Sequence, residues 1–478
     1  MAFNSIQFIC FLPIVSIIYF LLPFRFRWLF LLLASCYFYM AFIPIYIFIL
    51  FITILIDYTA AIMIEKANDQ KARKFYLIGS IVSTCLVLFI FKYFNFFNWN
   101  LAHLAKFLSW NYPIKALNLI LPIGLSFHTF QSLSYVIEVY YKRQKAERHF
   151  GVYALYVMFF PQLVAGPIER PQNLLPQLRK EHSFDYERVV RGLELILWGM
   201  FKKVFIADHL AIFVDQVYNG PTYHYNFDFL MATYFFSFQI YCDFSGYSDI
   251  AIGSAKILGI DLMQNFRQPY FSQSVIEFWQ RWHISLSTWF KDYVYIPLGG
   301  NRVPRWRLYY NLFIVFTISG FWHGANWTYV VWGILNAFYL ISNIILEITQ
   351  KKFDPNLKFF YLPKIIKILL TFHLITFSWI FFRSSSITEA IYIIKHLLPP
   401  FMTAYSAQWY FLNYFDSVMG IAFLLVMDVL ISRNKNNSLR DYLIHLPITV
   451  RWLAYMGLTL IIMNFGVAKE IPFIYFQF

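Results

Sequence analysis

The sequence predicts an all-α polytopic membrane protein with about 12 transmembrane helices and re-entrant or interfacial helices around a central tunnel. Of its 478 residues, 59% are hydrophobic and only 13% are charged, whereas a soluble domain is about one quarter charged. The apolar residues form long runs, and a helix needs about 20 of them to cross a bilayer. Basic residues cluster between these runs, as they do in cytoplasmic loops. The net charge of +14 is therefore assigned to loops and not to nucleic-acid binding.

The apolar runs are candidate membrane spans. They are 6–22, 28–43, 44–64, 75–94, 117–140, 188–218, 229–258, 308–321, 327–349, 365–382, 414–432 and 449–467. Arg25 and Arg27 follow the first run, so the positive-inside rule places the N-terminus outside. Alternation then puts the basic loops inside, namely 65–74, 141–148, 179–191, 301–307, 350–358 and 433–440. Charge-poor loops near 95–113 and 219–228 fall outside, as does the C-terminus.

Two segments fit a membrane span poorly. Residues 151–170 end in PQLVAGPIERP, and residues 274–299 mix five charged or titratable side chains with aromatic ones. Polar and proline-bearing backbone persists at membrane depth only where protein or a water-filled cavity surrounds it. We therefore expect both segments to be re-entrant or interfacial. The whole chain, 1–478, is interpreted as one membrane-embedded domain with a short external tail at 470–478.

Two histidines are the first candidate functional residues. His283 lies in FWQRWHISLSTWF and His323 in SGFWHGANW, and each follows a tryptophan in an apolar neighbourhood. A titratable group in or near a bilayer is costly and indicates function by default. Imidazole changes its protonation state near neutral pH, which suits it to proton transfer. The alternative is a structural role, with each ring hydrogen-bonded by nearby polar groups.

The two motifs resemble those of the membrane-bound O-acyltransferase family, above all its bacterial polysaccharide branch. Further stretches share the resemblance and run in family order, with the core motifs at about 121–340. They are LPIGLSFHTFQSLSYVIEVY, FFPQLVAGPIERP, YCDFSGYSDIAIGSAKILGI, NFRQPYFSQS and the C-terminal FIYFQF. The resemblance implies an acyltransferase of the bacterial plasma membrane that takes an acetyl group from acetyl-CoA in the cytoplasm. The group would cross the membrane for O-acetylation of a cell-wall or exported polysaccharide, such as peptidoglycan. A separate extracytoplasmic acyltransferase resembling SGNH hydrolases would complete the transfer.

The resemblance also implies roles for the histidines. His323 would be the base that takes the proton of an attacking hydroxyl, since burial disfavours its charged form. Gly324 and Ala325 would leave room for substrate. His283 would orient substrate or polarise the carbonyl oxygen. If residues 278–290 are helical, Glu277, Arg281 and Trp282 share a turn with His283.

Tyr475 carries the only hydroxyl of the aromatic tail FIYFQF. Similar aromatic tails in this bacterial branch contain a tyrosine, so the resemblance implies a relay that accepts the acyl group outside the membrane. The rings of Phe473, Phe476 and Phe478 would seat the tail. The alternative is an aromatic anchor at the membrane interface.

A basic cluster follows the His283 segment and would face the cytoplasm. It consists of Lys291, Arg302, Arg305 and Arg307. Cationic side chains there suit the phosphates of a CoA donor. The alternative is ordinary positive-inside charge.

Asp243 and Asp249 of DFSGYSD are expected to bond the Arg- and Trp-rich segment 274–299. Neither aspartate has His or Cys at metal-ligand spacing, and the four cysteines form no CxxC pair, so no metal site is expected.

Two other functions remain open from the sequence. A transporter or channel would use the same intramembrane polar residues as a translocation path, but the sequence shows no inverted repeat of the kind many transporters have. The second is D-alanyl transfer from a carrier protein to a teichoic-acid-like polymer. The fused aromatic tail favours the acetylating branch.

Overall fold

The computed structural model is helical and has no β-strand among the residues it describes. These are all residues except 165, 225, 354–361, 398–407, 409–411, 433–442, 444, 468–470 and 477–478; the side chains of 350–353 and 476 are also not described. The all-α class predicted from the sequence is confirmed.

The α-helices follow one another as α1 (Ile6–Leu21), α2 (Phe24–Met40), α3 (Ile47–Lys66), α4 (Gln70–Leu88), α5 (Phe94–Phe107), α6 (Leu125–Tyr140), α7 (Phe150–Met158), α8 (Phe160–Leu163), α9 (Pro171–Leu178), α10 (Tyr186–Met200), α11 (Asp208–Asn219), α12 (Asn226–Ile257), α13 (Val275–Arg281), α14 (Ile284–Phe290), α15 (Arg305–His323), α16 (Trp327–Phe353), α17 (Lys364–Arg383), α18 (Ile387–Lys395), α19 (Phe415–Ser432) and α20 (Ile448–Phe465). π-Helical turns lie at Phe89–Tyr93, Phe201–Ala207 and Lys291–Tyr295. Single 3₁₀ turns lie at Pro44–Tyr46, Pro221–Tyr223, Pro269–Phe271 and Ile474–Phe476.

Within the described part of the chain, 6 helices are long and apolar enough to cross a membrane. They are Pro44–Lys66, Gln70–Phe107, Trp327–Thr349, Lys364–Arg383, Phe415–Ser432 and Ile448–Phe465. The count of about 12 is therefore not confirmed. Several other candidate runs form helices that are shorter or more polar, such as α1 and α12. The chain is a multi-pass membrane protein.

Some of the expected boundaries are wrong. Residues 95–107 belong to helix, not to an outside loop, because the aromatic run continues the apolar face of α4 through a π-turn. The candidate span 117–140 begins as a helix only at Leu125, after Gly124 in a left-handed conformation (φ 76°). Loop 433–440 and most of loop 350–358 lie outside the described residues.

The chain divides into two compact units. Unit one comprises Met1–Leu193 and Ile250–Met263, and unit two comprises Glu194–Asp249 and Gln264–Phe478. In unit one, α3 and α4 pack together around a buried carboxylate. Ser80 and Thr84 donate to Asp57 Oδ1 at 2.6 and 3.0 Å. A polar group inside a membrane protein is tolerated when it is satisfied in this way. The candidate functional residues all lie in unit two.

A hairpin of two helices forms the frame of the site in unit two. Helices α15 and α16 approach closely because Gly320 and Gly333 face each other's backbone. A Cβ at Gly320 would lie 2.3 Å from Tyr329 O, and one at Gly333 would lie 2.3 Å from Phe316 O. Small residues permit such close approach between membrane helices. The crossing fixes the end of α15, where His323 lies.

The two segments that fit a membrane span poorly are short, interrupted helices. Residues 150–163 form α7 and α8, and residues 275–295 form α13, α14 and a π-turn. Their irregular backbone agrees with the breaks expected from their polar residues. Their re-entrant or interfacial placement stays a prediction.

Candidate active site

His323 is the last residue of α15 and is only 4% exposed. Its ring lies among aromatic rings from three other parts of unit two. The ring centroids of Trp332, Phe382 and Tyr475 are 5.1, 5.3 and 5.7 Å away. Trp332 and Phe382 come from α16 and α17, and Tyr475 comes from the C-terminal tail. The histidine is thus held against the one tail residue that carries a hydroxyl.

Gly324 does not leave room for substrate, contrary to the expectation from sequence. A Cβ at this position would lie 2.1 Å from the ring of Tyr329. That ring packs edge-on against Phe382, with centroids 5.0 Å apart, and Phe382 also contacts His323. Glycine is required here because the Tyr329 ring occupies the space beside the backbone, which closes one side of the histidine pocket.

His283 lies at a break between two helices, not inside one. Helix α13 ends at Arg281 and α14 begins at Ile284, so residues 278–290 do not form the single helix that was considered from the sequence. His283 adopts a left-handed conformation (φ 43°, ψ 56°), which is uncommon and costly for a residue other than glycine. Only the surrounding structure can hold it there, and such strained positions cluster at functional sites.

The break is fixed by the segment that follows α12. Ile284 N donates to Asn265 O at 3.0 Å, and Ser285 N donates to Asn265 Oδ1 at 3.2 Å. A third bond runs from Arg267 N to Arg281 O at 3.0 Å. The polar groups released by the interrupted helix are therefore satisfied from outside it. His283 itself is 1% exposed, and burial lowers the pKa of its imidazole well below the usual range, which favours the neutral form.

Phe244 of α12 connects the two histidine environments. Its ring centroid lies 4.5 Å from that of His283 and 4.8 Å from that of Tyr475. Tyr475 in turn contacts His323. The structure therefore brings His283, His323 and Tyr475 into one cluster, with Phe244 between His283 and the tyrosine. The Phe244 and His283 rings meet edge-to-face, at 87°, a geometry that aromatic pairs favour.

The aspartates of DFSGYSD bond to lysines instead of segment 274–299. Lys203 Nζ lies 2.8 Å from Asp243 Oδ1, and Lys202 Nζ lies 2.7 Å from Asp249 Oδ2. Gly246 permits this contact, because a Cβ there would lie 2.7 Å from Gly199 O. The residues preceding the π-turn can thus pack directly on α12. Two carboxylates in an apolar helix require buried cations, and Lys202 and Lys203 were the available signal that sequence reasoning missed.

The basic cluster lies away from this pocket. Arg305 and Arg307 occupy the first turn of α15, whereas His323 is its last residue. At a rise of 1.5 Å per residue, Arg305 and Arg307 lie about 27 and about 24 Å from His323 along the helix axis, close to the thickness of a bilayer core of about 30 Å. Lys291, Arg302 and Arg305 are exposed. The structure therefore places two of the predicted donor-binding cations, Arg305 and Arg307, at the opposite end of α15 from the predicted base.

The chain belongs to the membrane-bound O-acyltransferase (MBOAT) family, whose model matches residues 148–387. It is 36% identical over 430 residues to the peptidoglycan O-acetyltransferase of Helicobacter pylori (strain ATCC 700392 / 26695), covering 83% of this chain and 79% of that protein. It is 39% identical over 399 residues to the probable alginate O-acetylase of Pseudomonas syringae pv. tomato (strain ATCC BAA-871 / DC3000), covering 82% and 74%. The teichoic acid D-alanyltransferase of Bacillus subtilis (strain 168) is 28% identical over 335 residues, covering 66% and 80%. The family resemblance seen in the motifs is confirmed, and the chain is an O-acyltransferase.

Proposed function

We propose that this enzyme takes an acetyl group from acetyl-CoA at the cytoplasmic face of a bacterial plasma membrane and transfers it to Tyr475. A separate extracytoplasmic acyltransferase would then move the group to a polysaccharide or to peptidoglycan. The proposal rests on the contact between His323 and Tyr475, whose ring centroids are 5.7 Å apart. It joins the strongest candidate base to the only hydroxyl of the tail.

The transfer itself is a balanced acyl exchange. The Tyr475 oxygen attacks the thioester carbonyl, a C–O bond forms, and the C–S bond breaks. His323 accepts the phenol proton during attack and returns it to the departing CoA thiolate. Thiols and phenols have ordinary pKa values of about 8.5 and about 10. Because these leaving groups are similar, a phenol ester keeps much of the activation of the thioester.

The environment of Tyr475 supports the need for a base. Burial raises the pKa of its phenol above the ordinary value, so the free phenolate is disfavoured. His323, whose ring contacts that of Tyr475, would remove the proton only as the new bond forms. This arrangement concentrates the base and the nucleophile in one pocket, where positioning supplies a large part of the rate.

His283 would act on the carbonyl oxygen. Its buried imidazole favours the neutral form, which has one N–H to donate. A fixed donor stabilises the oxyanion that develops during attack, because it needs no reorganisation when charge appears. The break between α13 and α14, which is strained at His283 and held by hydrogen bonds around it, suits such a role. Phe244 would then pack between the donor and the tyrosine.

Donor and acceptor are assigned to opposite sides of the membrane. Arg302, Arg305 and Arg307 would hold the CoA phosphates in the cytoplasm, at the far end of α15 from His323. The substrates named for the relatives, peptidoglycan and alginate, favour a polysaccharide acceptor. Such polymers lie outside the plasma membrane, so the partner would act on that side. Both chain termini would lie there too, as the positive-inside pattern of the loops predicts.

Intact-mass and peptide spectrometry with labelled acetyl-CoA tests the proposal directly. Purified enzyme should gain one acetyl group on Tyr475 and release an equivalent of CoA. The adduct should be missing from Tyr475→Phe, which keeps the ring and removes the nucleophile. Full acylation of polymer by Tyr475→Phe, in membranes that contain the partner, would contradict the relay and leave the tail as an aromatic anchor.

The same assay separates the alternatives. A transporter would release no CoA from the labelled donor. A D-alanyl transferase would ignore acetyl-CoA and would label Tyr475 only from an aminoacylated carrier protein. Either result would replace the acetyl donor proposed here.

A further inference from the structure

Two consecutive lysines in the π-turn Phe201–Ala207 are buried, and they bind different partners. Lys202 is 4% exposed and Lys203 is fully buried. Lys202 donates to Ser245 Oγ at 2.9 Å and pairs with Asp249. Lys203 lies 2.8 Å from Asp208 Oδ1 and 2.8 Å from Asp243 Oδ1. Residues 243 and 247 share one face of α12 and residues 245 and 249 share another, because side chains four apart lie above one another on a helix.

The Lys203 cluster also reaches the C-terminal tail. Lys203 Nζ donates to Ile471 O at 3.1 Å, and Asp243 Oδ2 accepts from Ile474 N at 2.8 Å. A cation and an anion therefore bind a carbonyl and an amide that lie three residues apart in the tail. Charged groups form the strongest hydrogen bonds to backbone. The bond to Asp243 is buried and the bond from Lys203 is partly buried.

Packing reinforces this attachment on the same face of α12. The ring of Phe473 lies 4.3 Å from that of Tyr247, and the Lys203 ammonium lies 5.6 Å from the Tyr247 ring centroid. Phe473 is fully buried and Ile474 is 2% exposed. The helix before the tail is held nearby too, since a Cβ at Gly466 would lie 2.8 Å from Val204. The π-turn thus contacts the chain on both sides of 468–470.

We propose that Lys203 and Asp243 are positioning residues that fix the register of the C-terminal tail and so place Tyr475 against His323. Asp243 binds the amide of the residue immediately before Tyr475, so a shift of one residue would remove the tyrosine from the histidine pocket. The inference rests on the proposed role of Tyr475 as acyl acceptor. Lys202 and Asp249 form a second ion pair on the same two elements, with Lys202 buried and the Asp249 side chain 21% exposed, and they bind no described tail residue.

The adjacent pairs provide a matched comparison in the full-length enzyme. Lys203→Met and Asp243→Asn should lower the single-turnover rate of Tyr475 acetylation by about 100-fold, the loss typical of an ångström-scale misplacement. Lys202→Met and Asp249→Asn should stay within a few-fold of wild type. The KM for acetyl-CoA should be unchanged in all four variants, because the donor cations lie elsewhere. Equal losses in the two pairs would overturn the proposal.

A second measurement reads the tail without catalysis. In an Ile474→Cys background, the introduced thiol should resist a soluble maleimide, followed by peptide spectrometry. Adding Lys203→Met or Asp243→Asn should raise its labelling rate at least tenfold, whereas Lys202→Met should not. Asparagine keeps the shape of the aspartate, so Asp243→Asn provides the test if Lys203→Met does not accumulate. Unchanged protection in Asp243→Asn would overturn the attachment.

The two proposals fail in different ways. If Tyr475→Phe retains full transfer while Asp243→Asn still exposes the thiol at position 474, the relay is wrong and the attachment stands. If Tyr475 is acetylated in wild type and equally in Lys203→Met, the relay stands and the positioning role is overturned.

Discussion

The same dipeptide, Trp–His, is built into two contrasting backbones. His323 ends a regular 19-residue helix, and side chains from α16, α17 and the tail surround its ring. His283 lies in a left-handed break, and backbone hydrogen bonds from residues 265–267 hold that break. His323 therefore depends on its side-chain neighbours for its orientation, whereas His283 depends on the main chain. This difference suits the proposed roles, in which His323 accepts a proton and His283 is a hydrogen-bond donor that must stay fixed.

The largest expected effect is at His323. Replacement by alanine should leave an inserted, monodisperse protein and lower acetyl transfer to Tyr475 by about 100- to 10,000-fold, as loss of a general base does. Single-turnover labelling measures the chemical step, and size-exclusion chromatography in detergent controls for folding. Transfer near the wild-type rate would reject His323 as the base and remove the contrast between the two histidines.

Replacing His283 should lower the rate less than replacing His323. The result should also depend on how well the new residue tolerates the left-handed backbone conformation. Asparagine tolerates the left-handed region better than most residues, so His283→Asn should insert normally and lose about 100- to 1,000-fold in kcat, as loss of an oxyanion donor does. His283→Val, which is β-branched, should lose folding yield as well. If both variants fold and turn over alike, the left-handed backbone has no functional consequence.

The two ends of α15 provide the third test. Replacing Arg302, Arg305 and Arg307 together by glutamine should raise the KM for acetyl-CoA about tenfold and leave kcat steady, because ground-state binding is lost without change to the chemistry. The KM rise should shrink at high salt, which screens exposed charges. If topology changes while KM does not, these arginines are ordinary positive-inside charges.

The smallest expected effect concerns Gly324. Its replacement by alanine should push the Tyr329 ring aside and destabilise the protein by about 1–3 kcal/mol, as overpacking does. Gly457→Ala is the control, since nothing lies within 4 Å of its added Cβ. Thermal unfolding in detergent, followed by tryptophan fluorescence, compares the two. An unchanged midpoint for Gly324→Ala would show that the ring moves without cost.

The sequence by itself determined the helical class, the membrane setting and the family. It also singled out His283, His323 and Tyr475 as candidates, and the structure brings these three into one cluster. These predictions follow from composition, from apolar runs and from short motifs, all of which are local properties of the chain. It did not determine the break at His283, because a left-handed residue is stabilised only by the distant segment around Asn265. Nor did it determine the space beside Gly324, which the Tyr329 ring fills.

Only the tertiary structure decided which charges meet. Sequence reasoning linked Asp243 and Asp249 to the segment 274–299, but the close packing at Gly246 brings the π-turn to α12 and gives each aspartate its own lysine. It also decided that the tail returns to His323. Residues 203, 243 and 474 are too far apart in sequence for any periodic pattern to connect them, and a buried ion pair forms only where folding brings its partners together.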